Sequence, residues 1–239
     1  MKAKIIILAA IFALIVVVFA VIPLIGFISF NNITEATTVT AEHVSIPSNT
    51  ADSLRFKEEH EALNDILDED GNLKHLNIYI PENNRVVYVS FDELMELIDY
   101  GTGVFFFSRP NCPWCRVLIP TLLQVAEDMG IYIHYYDIDY DRSAHNENYV
   151  RILEALHNYL PVDGRNQTPG DEDFDENLKR VTVPHLFFVV EGRIINEIMM
   201  NRHSLLVYED FDGLYDFLSD MFLSVSQVIN APRSECQVC

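Results

Sequence analysis

From Arg85 onward, short apolar runs alternate with segments in which apolar residues recur every three or four positions. Short apolar runs are typical of buried strands, and the longer spacing is typical of helices with one face in a core. The pattern predicts elements in the order β-α-β-α-β-α-β-β-α. The predicted strands cover 85–90, 103–108, 131–139, 183–190 and 193–200, and the predicted helices cover 90–101, 112–130, 146–160 and 211–229.

Local signals mark the ends of several elements. Ser90 and Glu93 have the spacing of a capping box, and Gly101 and Gly130 follow the last apolar positions of two helices. Glu191-Gly192 lies between two strands and predicts a hairpin. Alternating strands and helices imply parallel crossovers, while the hairpin adds an antiparallel edge. The sequence therefore predicts an α/β fold with a central mixed sheet.

The N-terminal pattern is different, because Ile5 to Phe30 is a run of 26 residues without a charge. A bilayer span needs about 20 apolar residues, whereas the apolar region of a cleavable signal has about 7–15. Lys2 and Lys4 precede the run, and the first basic residue after it is Arg55. This asymmetry predicts a single-pass transmembrane helix with a cytoplasmic N-terminus and an extracytoplasmic C-terminal domain. The alternative is a signal peptide cleaved after Ala20.

The rest of the chain divides by composition. A flexible linker is predicted over 31–52, a helical extension and turn over 53–82, and the main domain over 83–230, with an acidic insertion at 161–177. Residues 231–239 are predicted to form a C-terminal tail. The predicted apolar face of the extension helix contains Leu54, Phe56, Leu63, Ile66 and Leu67.

The charge balance excludes one class of partner. The chain has 36 acidic and 16 basic side chains, for a formal net charge of −20. Nucleic-acid binding depends on clustered lysine and arginine, so no nucleic-acid role is expected.

All four cysteines lie in two CxxC pairs, Cys112/Cys115 and Cys236/Cys239. The first pair is expected where a buried strand enters a helix, with Pro113 at the first helical position. A cysteine at a helix N-terminus has a lowered pKa, and its thiolate is the attacking species in disulfide exchange. Cys112 is therefore the expected nucleophile, and Cys115 the resolving cysteine. A zinc site or a structural disulfide are the alternatives. Outside the cytoplasm a redox pair is favoured over zinc, and no metal is expected.

The sequence from about Asn83 to Asn230 resembles the thioredoxin-like superfamily. The CxxC opens the helix after the second strand, Pro120 lies within that helix, and Thr182-Val183-Pro184 precedes the apolar run LFFVV of the fourth strand. The stretch from FKEEHEALN to SRPNCPWCR also resembles membrane-anchored thioredoxin-like proteins of Gram-positive bacteria, some of them called bacteriocin-transport accessory proteins. The resemblance implies a thioredoxin fold and thiol–disulfide oxidoreductase activity.

The resemblance also implies roles for residues around the pair. Pro184 would be a cis-proline that shapes the site, and Val183 would pair through its backbone with substrate. Trp114 is expected to be exposed and to contact substrate, or else to pack against the domain. Two departures affect the site. Phe106 replaces the buried acid that aids proton transfer in thioredoxins, and Met200-Asn201-Arg202 replaces a glycine after the last strand. No cofactor is expected, and the glycine pair of glutathione-binding relatives is absent.

Other polar residues are weaker candidates. Arg109 and Arg116 either lower the pKa of Cys112 or are ordinary solvated arginines. His185, beside Pro184, is the histidine expected near the site. His134 and His157 are expected to be packing or surface residues.

Two functions remain open. The favoured one is a membrane-tethered oxidoreductase that acts on protein thiols and disulfides outside the cytoplasm, in a direction that depends on its reduction potential. The alternative is a thioredoxin-fold accessory module, for secretion or bacteriocin export, with an inert disulfide. The tail pair, Cys236 and Cys239, is expected on a mobile end. It either exchanges with Cys112/Cys115 as a relay or is a bystander.

Overall fold

Five strands and six α-helices make up the part of the protein that the computed structural model describes, residues 50–163, 172, 174–200 and 211–230. The strands are β1 (Val86–Tyr88), β2 (Gly103–Ser108), β3 (Ile133–Asp137), β4 (His185–Val190) and β5 (Arg193–Met199). The helices are α1 (Thr50–Glu61), α2 (Phe91–Tyr100), α3 (Pro113–Met129), α4 (Asp139–Ala144), α5 (Glu147–Ala155) and α6 (Phe211–Ile229).

The strands form one mixed sheet in the order β1-β3-β2-β4-β5. β1, β3 and β2 are parallel, whereas β4 is antiparallel to both β2 and β5. The predicted mixed sheet is therefore confirmed, and its strand order is that of a thioredoxin-like fold. The hairpin is also confirmed, since Glu191 and Gly192 join β4 to β5 with φ values of 49° and 70°.

The core lies on both faces of the sheet. Every residue of β2 is buried, and neighbouring side chains point to opposite faces. Phe106 belongs to the cluster beneath α3 and α6, while Phe105 and Phe107 belong to the cluster beneath α2 and α5. This explains why β2 is a continuous apolar run rather than an alternating one.

Helix starts and stops follow the predicted signals. Ser90 and Glu93 form both hydrogen bonds of a capping box at the start of α2. Gly130 ends α3 in the left-handed conformation, with φ 68°. The predicted start of α2 and the predicted end of α3 are therefore confirmed.

The predicted face of the N-terminal extension is wrong beyond Phe56. α1 ends at Glu61, and its buried residues are Ser53, Phe56 and His60. Ile66 and Leu67 follow the helix and are exposed. The face that packs on the sheet includes a serine and a histidine. Because these residues are polar, the spacing of apolar residues does not predict this face. α1 also begins at Thr50, within the region predicted as linker.

Two features between β3 and β4 go beyond the predicted pattern. The short helix α4 was not predicted, and its first residue donates its N–H to the Asp137 side chain at 2.9 Å. Val162, at the start of the acidic insertion, forms an antiparallel bridge with Lys179, two residues after the insertion ends.

The predicted anchor, most of the linker and the C-terminal tail lie outside the described residues. No helix within the described ranges is both long and apolar enough to span a bilayer.

Candidate functional site

The first CxxC pair lies where β2 enters α3. Cys112 is the N-cap of α3, and its Sγ accepts a hydrogen bond from the Cys115 N–H at 3.2 Å. Cys112 and Cys115 form a disulfide with their Cα atoms 5.2 Å apart. Only 2% of Cys112 and 0% of Cys115 is exposed. The free N–H groups and the positive end of the helix therefore face the sulfur of Cys112, as the sequence predicted.

The segment before β4 lies against this pair. The Val183–Pro184 peptide bond is cis. The carbonyl oxygen of Val183 lies 3.7 Å from Cys112 Sγ. β2 and β4 are antiparallel neighbours, so the start of β4 meets the end of β2, where the cysteines lie.

Trp114 is half-buried rather than exposed. It packs against the core cluster beneath α3. Part of the Trp114 side chain remains at the surface, between the two cysteines. The expected packing against the domain is therefore observed, and contact with substrate stays a prediction.

Phe106, which stands where thioredoxins have a buried acid, lies in apolar surroundings. Phe106 is fully buried, and its ring contacts that of Tyr135, its partner on β3. Tyr135 in turn contacts His60 of α1, with 5.9 Å between ring centroids. Burial lowers the pKa of His60 to about 4. His60 is therefore neutral at pH 7, and its Nδ1–H donates to the Phe56 carbonyl at 2.8 Å.

Arg116 is neither solvated nor free, so the interpretation as an ordinary solvated arginine is wrong. Its side chain is fully buried, although it follows Cys115 directly. The guanidinium contacts the extension and the β2–α3 loop instead of solvent. Burial lowers its pKa, yet arginine remains protonated at neutral pH.

Arg109 has a different environment. It forms an ion pair with Asp139 at 3.2 Å, and Asp139 also pairs with Arg142 at 2.8 Å. About a third of the Arg109 side chain is exposed, at 33%. The charge of Arg109 is therefore partly neutralised by the Asp139 carboxylate and screened by water.

The side chain of His185 does not face the cysteine pair. The expectation that His185 lies near the site is therefore wrong for its side chain. Its ring stacks on Phe187, which belongs to the cluster on the other face of the sheet. Its Nε2 lies 2.6 Å from Glu197 Oε2. The alternation of side chains along β4 turns His185 away from α3. His134 is a packing residue, as expected, with Nδ1 bonded to the Val104 carbonyl at 3.1 Å.

No group of three or more potential metal ligands occurs within the residues that the structure describes. Cys236 and Cys239 fall outside these residues, as do Asn201 and Arg202 of the segment that replaces the thioredoxin glycine.

Sequence reasoning missed the contribution of the N-terminal extension. His60, Asn64 and Leu76 all contact Arg116, and Phe56 packs in the same core as the cysteines. One signal was available: Arg116 is four residues after Cys112, on the same face of a helix that is otherwise apolar there.

The family comparison matches part of the chain. Residues 75–159 match the family model described as TraF, F plasmid transfer operon protein. This range contains β1, β2, β3, the cysteine pair and α5, and is less than half of the chain.

Solved structures with similarity to the chain include two plant thioredoxins. Thioredoxin O2 from Arabidopsis thaliana in its oxidized state is 16% identical, with a TM-score of 0.35, over 58% of this chain and 96% of that one. Thioredoxin O1 from Arabidopsis thaliana in its oxidized state is 19% identical, with a TM-score of 0.32, over 55% of this chain and 99% of that one. No match to a curated protein was found. The fold is assigned from the strand order and the position of the cysteine pair.

Proposed function

We propose that this protein is a thiol–disulfide oxidoreductase that acts on protein thiols and disulfides, with Cys112 as nucleophile and Cys115 as resolving cysteine. The observation that carries the proposal is the position of Cys112 Sγ, which accepts the Cys115 N–H at the start of α3. A helix N-terminus stabilises a thiolate, and the thiolate is the reactive species.

The reaction proceeds in two balanced exchanges. The Cys112 thiolate attacks one sulfur of a substrate disulfide, so that the substrate S–S bond breaks, a mixed disulfide forms and one substrate thiolate leaves. Cys115 then loses its proton and attacks Cys112, which closes the Cys112–Cys115 disulfide and releases the second substrate thiolate. Run in reverse, the same steps oxidise a substrate dithiol.

Val183 is the proposed docking point for substrate backbone. Its carbonyl lies beside Cys112 Sγ, and an extended substrate segment that pairs there brings its own sulfur within reach of the attacking atom. The partly exposed ring of Trp114 is proposed to line the same surface.

We also propose that the protein is tethered to the cell membrane. Ile5 to Phe30 is proposed to anchor the protein in the cell membrane, with the catalytic domain on the extracytoplasmic side. In that compartment, protein disulfides form and persist, so substrates of the required chemistry are present.

An accessory role is the second candidate, and the burial of both cysteines favours it. A disulfide with exposed fractions of 2% and 0% is poorly accessible to another protein. In that case the domain would support secretion or export by binding a partner, and the disulfide would only stabilise the fold of the domain.

A turnover assay separates the two functions. The full chain in detergent is mixed with a small peptide disulfide and excess reduced glutathione, and release of peptide thiol is followed. The matched control carries Cys236→Ser and Cys239→Ser. Turnover that survives in this control and disappears with Cys112→Ser supports the oxidoreductase. A Cys112–Cys115 disulfide that does not exchange with glutathione or peptide supports the accessory module.

A further inference from the structure

The guanidinium of Arg116 is bound entirely by neutral oxygen atoms. Three of the four acceptors come from the N-terminal extension and one from the loop before α3. Nε donates to Leu76 O at 2.6 Å, Nη1 to His60 O at 2.7 Å and Pro110 O at 3.3 Å, and Nη2 to Asn64 Oδ1 at 2.6 Å.

No carboxylate of the described residues lies within ion-pair distance of Arg116. The contrast with Arg109 is direct, since that arginine is partly exposed and paired with Asp139. A buried cation without a counter-charge is unfavourable, even when its hydrogen bonds are satisfied. Any negative charge that forms nearby is therefore stabilised.

Reduction of the disulfide creates such a charge. Cys112 and Arg116 are separated by one helical turn, so they share a face of α3. Long helical side chains lean toward the N-terminus, and Nη1 reaches the carbonyl of Pro110, which precedes Cys112. In the oxidised state Cys112 is neutral, whereas in the reduced state the proposed function gives it a thiolate.

We propose that Arg116 is a positioning residue whose buried charge stabilises the Cys112 thiolate over the disulfide, so that the pair oxidises protein dithiols. This inference rests on the proposed function and gives it a direction. The substrate dithiol loses two electrons and two protons and becomes a disulfide. Cys112–Cys115 gains the two electrons and one proton, which leaves a thiol on Cys115 and a thiolate on Cys112, and the second proton passes to water. A disulfide-bearing oxidant then re-forms the pair.

The extension makes this effect strong by keeping water away from the guanidinium. Its residues 60–76 supply three of the four acceptors, and a charge interaction is stronger in such a dry site than at the surface. The titratable groups facing Arg116 do not compensate it. His60 is neutral at pH 7, and the pKa of His75 is lowered by burial and by the Arg116 charge.

The test uses the full chain with Cys236→Ser and Cys239→Ser, so that one dithiol remains. Arg116→Gln removes the buried charge, Arg116→Lys keeps it with fewer hydrogen bonds, and Arg109→Gln removes a nearby paired charge. Two quantities are measured for each: the equilibrium constant of Cys112–Cys115 with glutathione, and the pKa of Cys112 from the pH dependence of alkylation.

We expect Arg116→Gln to raise the pKa of Cys112 and to shift the equilibrium toward the disulfide by about tenfold or more, where tenfold corresponds to about 30 mV. Arg116→Lys should stay close to the parent, and Arg109→Gln should change the constant by less than about twofold, as for an exposed ion pair. If Arg116→Gln matches Arg109→Gln, or Arg116→Lys matches Arg116→Gln, the guanidinium is only a structural clamp and the inference is wrong.

A second variant covers the case in which Arg116→Gln does not fold. Asn64→Asp keeps the guanidinium and places a carboxylate where its Nη2 now meets an amide oxygen at 2.6 Å. We expect the same direction of shift, because the cation then has a permanent partner. An unchanged equilibrium constant in a folded Asn64→Asp protein contradicts the inference. A pair that does not equilibrate with glutathione at all contradicts the proposed function instead.

Discussion

The Sγ of Cys112 lies 3.7 Å from the carbonyl oxygen of Val183, although 71 positions separate the two residues in the chain. The contact exists because β4 runs antiparallel to β2, with His185 opposite Phe107. A helix-capping sulfur and a backbone carbonyl are thereby brought together where β2 ends and β4 begins. A thiol at a helix N-terminus has a lowered pKa, and its thiolate is the attacking species in disulfide exchange.

The two cysteines should differ in reactivity. We expect Cys112→Ser to abolish exchange, and Cys115→Ser to accumulate a mixed disulfide with substrate through Cys112, because only Cys112 caps α3. Non-reducing electrophoresis and peptide mass spectrometry measure the trapped species. Equal and slow alkylation of both cysteines in the reduced protein would contradict the assignment.

The stability of the domain should fall at mildly acidic pH because of His60. Its pKa is about 4 in the folded protein, against an ordinary value of 6.5. Between these values the unfolded chain binds more protons, so the free energy of unfolding falls as the pH drops from about 6.5 to about 4. The full contribution is about 3 kcal/mol.

Urea unfolding at pH 7.5, 6.0 and 4.5 tests this pH dependence. His60→Asn, whose side-chain amide can still donate to the Phe56 carbonyl, should be less stable at pH 7.5 but lose less stability on acidification. His157→Asn, at a half-buried position of the 3-10 turn after α5, is the control. Parallel pH curves for the parent and His60→Asn would show that His60 is not responsible.

Gly192 should tolerate no side chain. It has a φ of 70°, its N–H donates to Gly101 O at 2.9 Å, and a Cβ at this position would overlap the carbonyl of Asp99. Gly71 has a similar φ of 81°, but a Cβ there would meet open space. We expect Gly71→Ala to lower the free energy of unfolding by about 1 kcal/mol through backbone strain alone. Gly192→Ala should lower it by about 3 kcal/mol, since overlap with backbone is added. Equal losses in thermal or urea unfolding would contradict the packing argument.

The proposed anchor can be tested on cells. We expect the full chain to stay with membranes after alkaline extraction, and its catalytic domain to be digested by protease added to intact cells or protoplasts. A cytoplasmic marker protein that remains intact is the control. A mature chain that starts near Val21 would show a cleaved signal instead.

The proposed relay of the second CxxC pair can be tested by mapping disulfides. Oxidised Cys115→Ser should contain a link from Cys112 to Cys236 or Cys239 if the pairs exchange. The competing expectation is a passive disulfide or two incidental thiols, because a CxxC outside a helix start lacks the dipole that activates a thiol. If no link forms, and deletion of Ser234 to Cys239 leaves protein-substrate turnover unchanged, the second pair is a bystander.

Local pattern was sufficient for most of the fold. The apolar run of β2, the capping box at Ser90 and the hairpin at Glu191-Gly192 each depend on a few neighbouring residues. Their spacing is visible in one sequence, because strand and helix periodicity and turn chemistry are short-range properties. The position of Cys112 at a helix start was predictable for the same reason, with Pro113 as the signal.

The sequence therefore predicts the α/β class, the place of the cysteine pair and, apart from the short helix α4, the order of the elements from β1 onward. The surroundings of that pair depend on the tertiary structure. The carbonyl of Val183 comes from 71 positions away. Three of the four acceptors of Arg116 come from an extension whose packing face includes a serine and a histidine. His185, adjacent in sequence to Pro184, turns to the opposite face of the sheet. The burial and the charge environment of a side chain depend on which distant segments it contacts, and those contacts cannot be read from a single sequence.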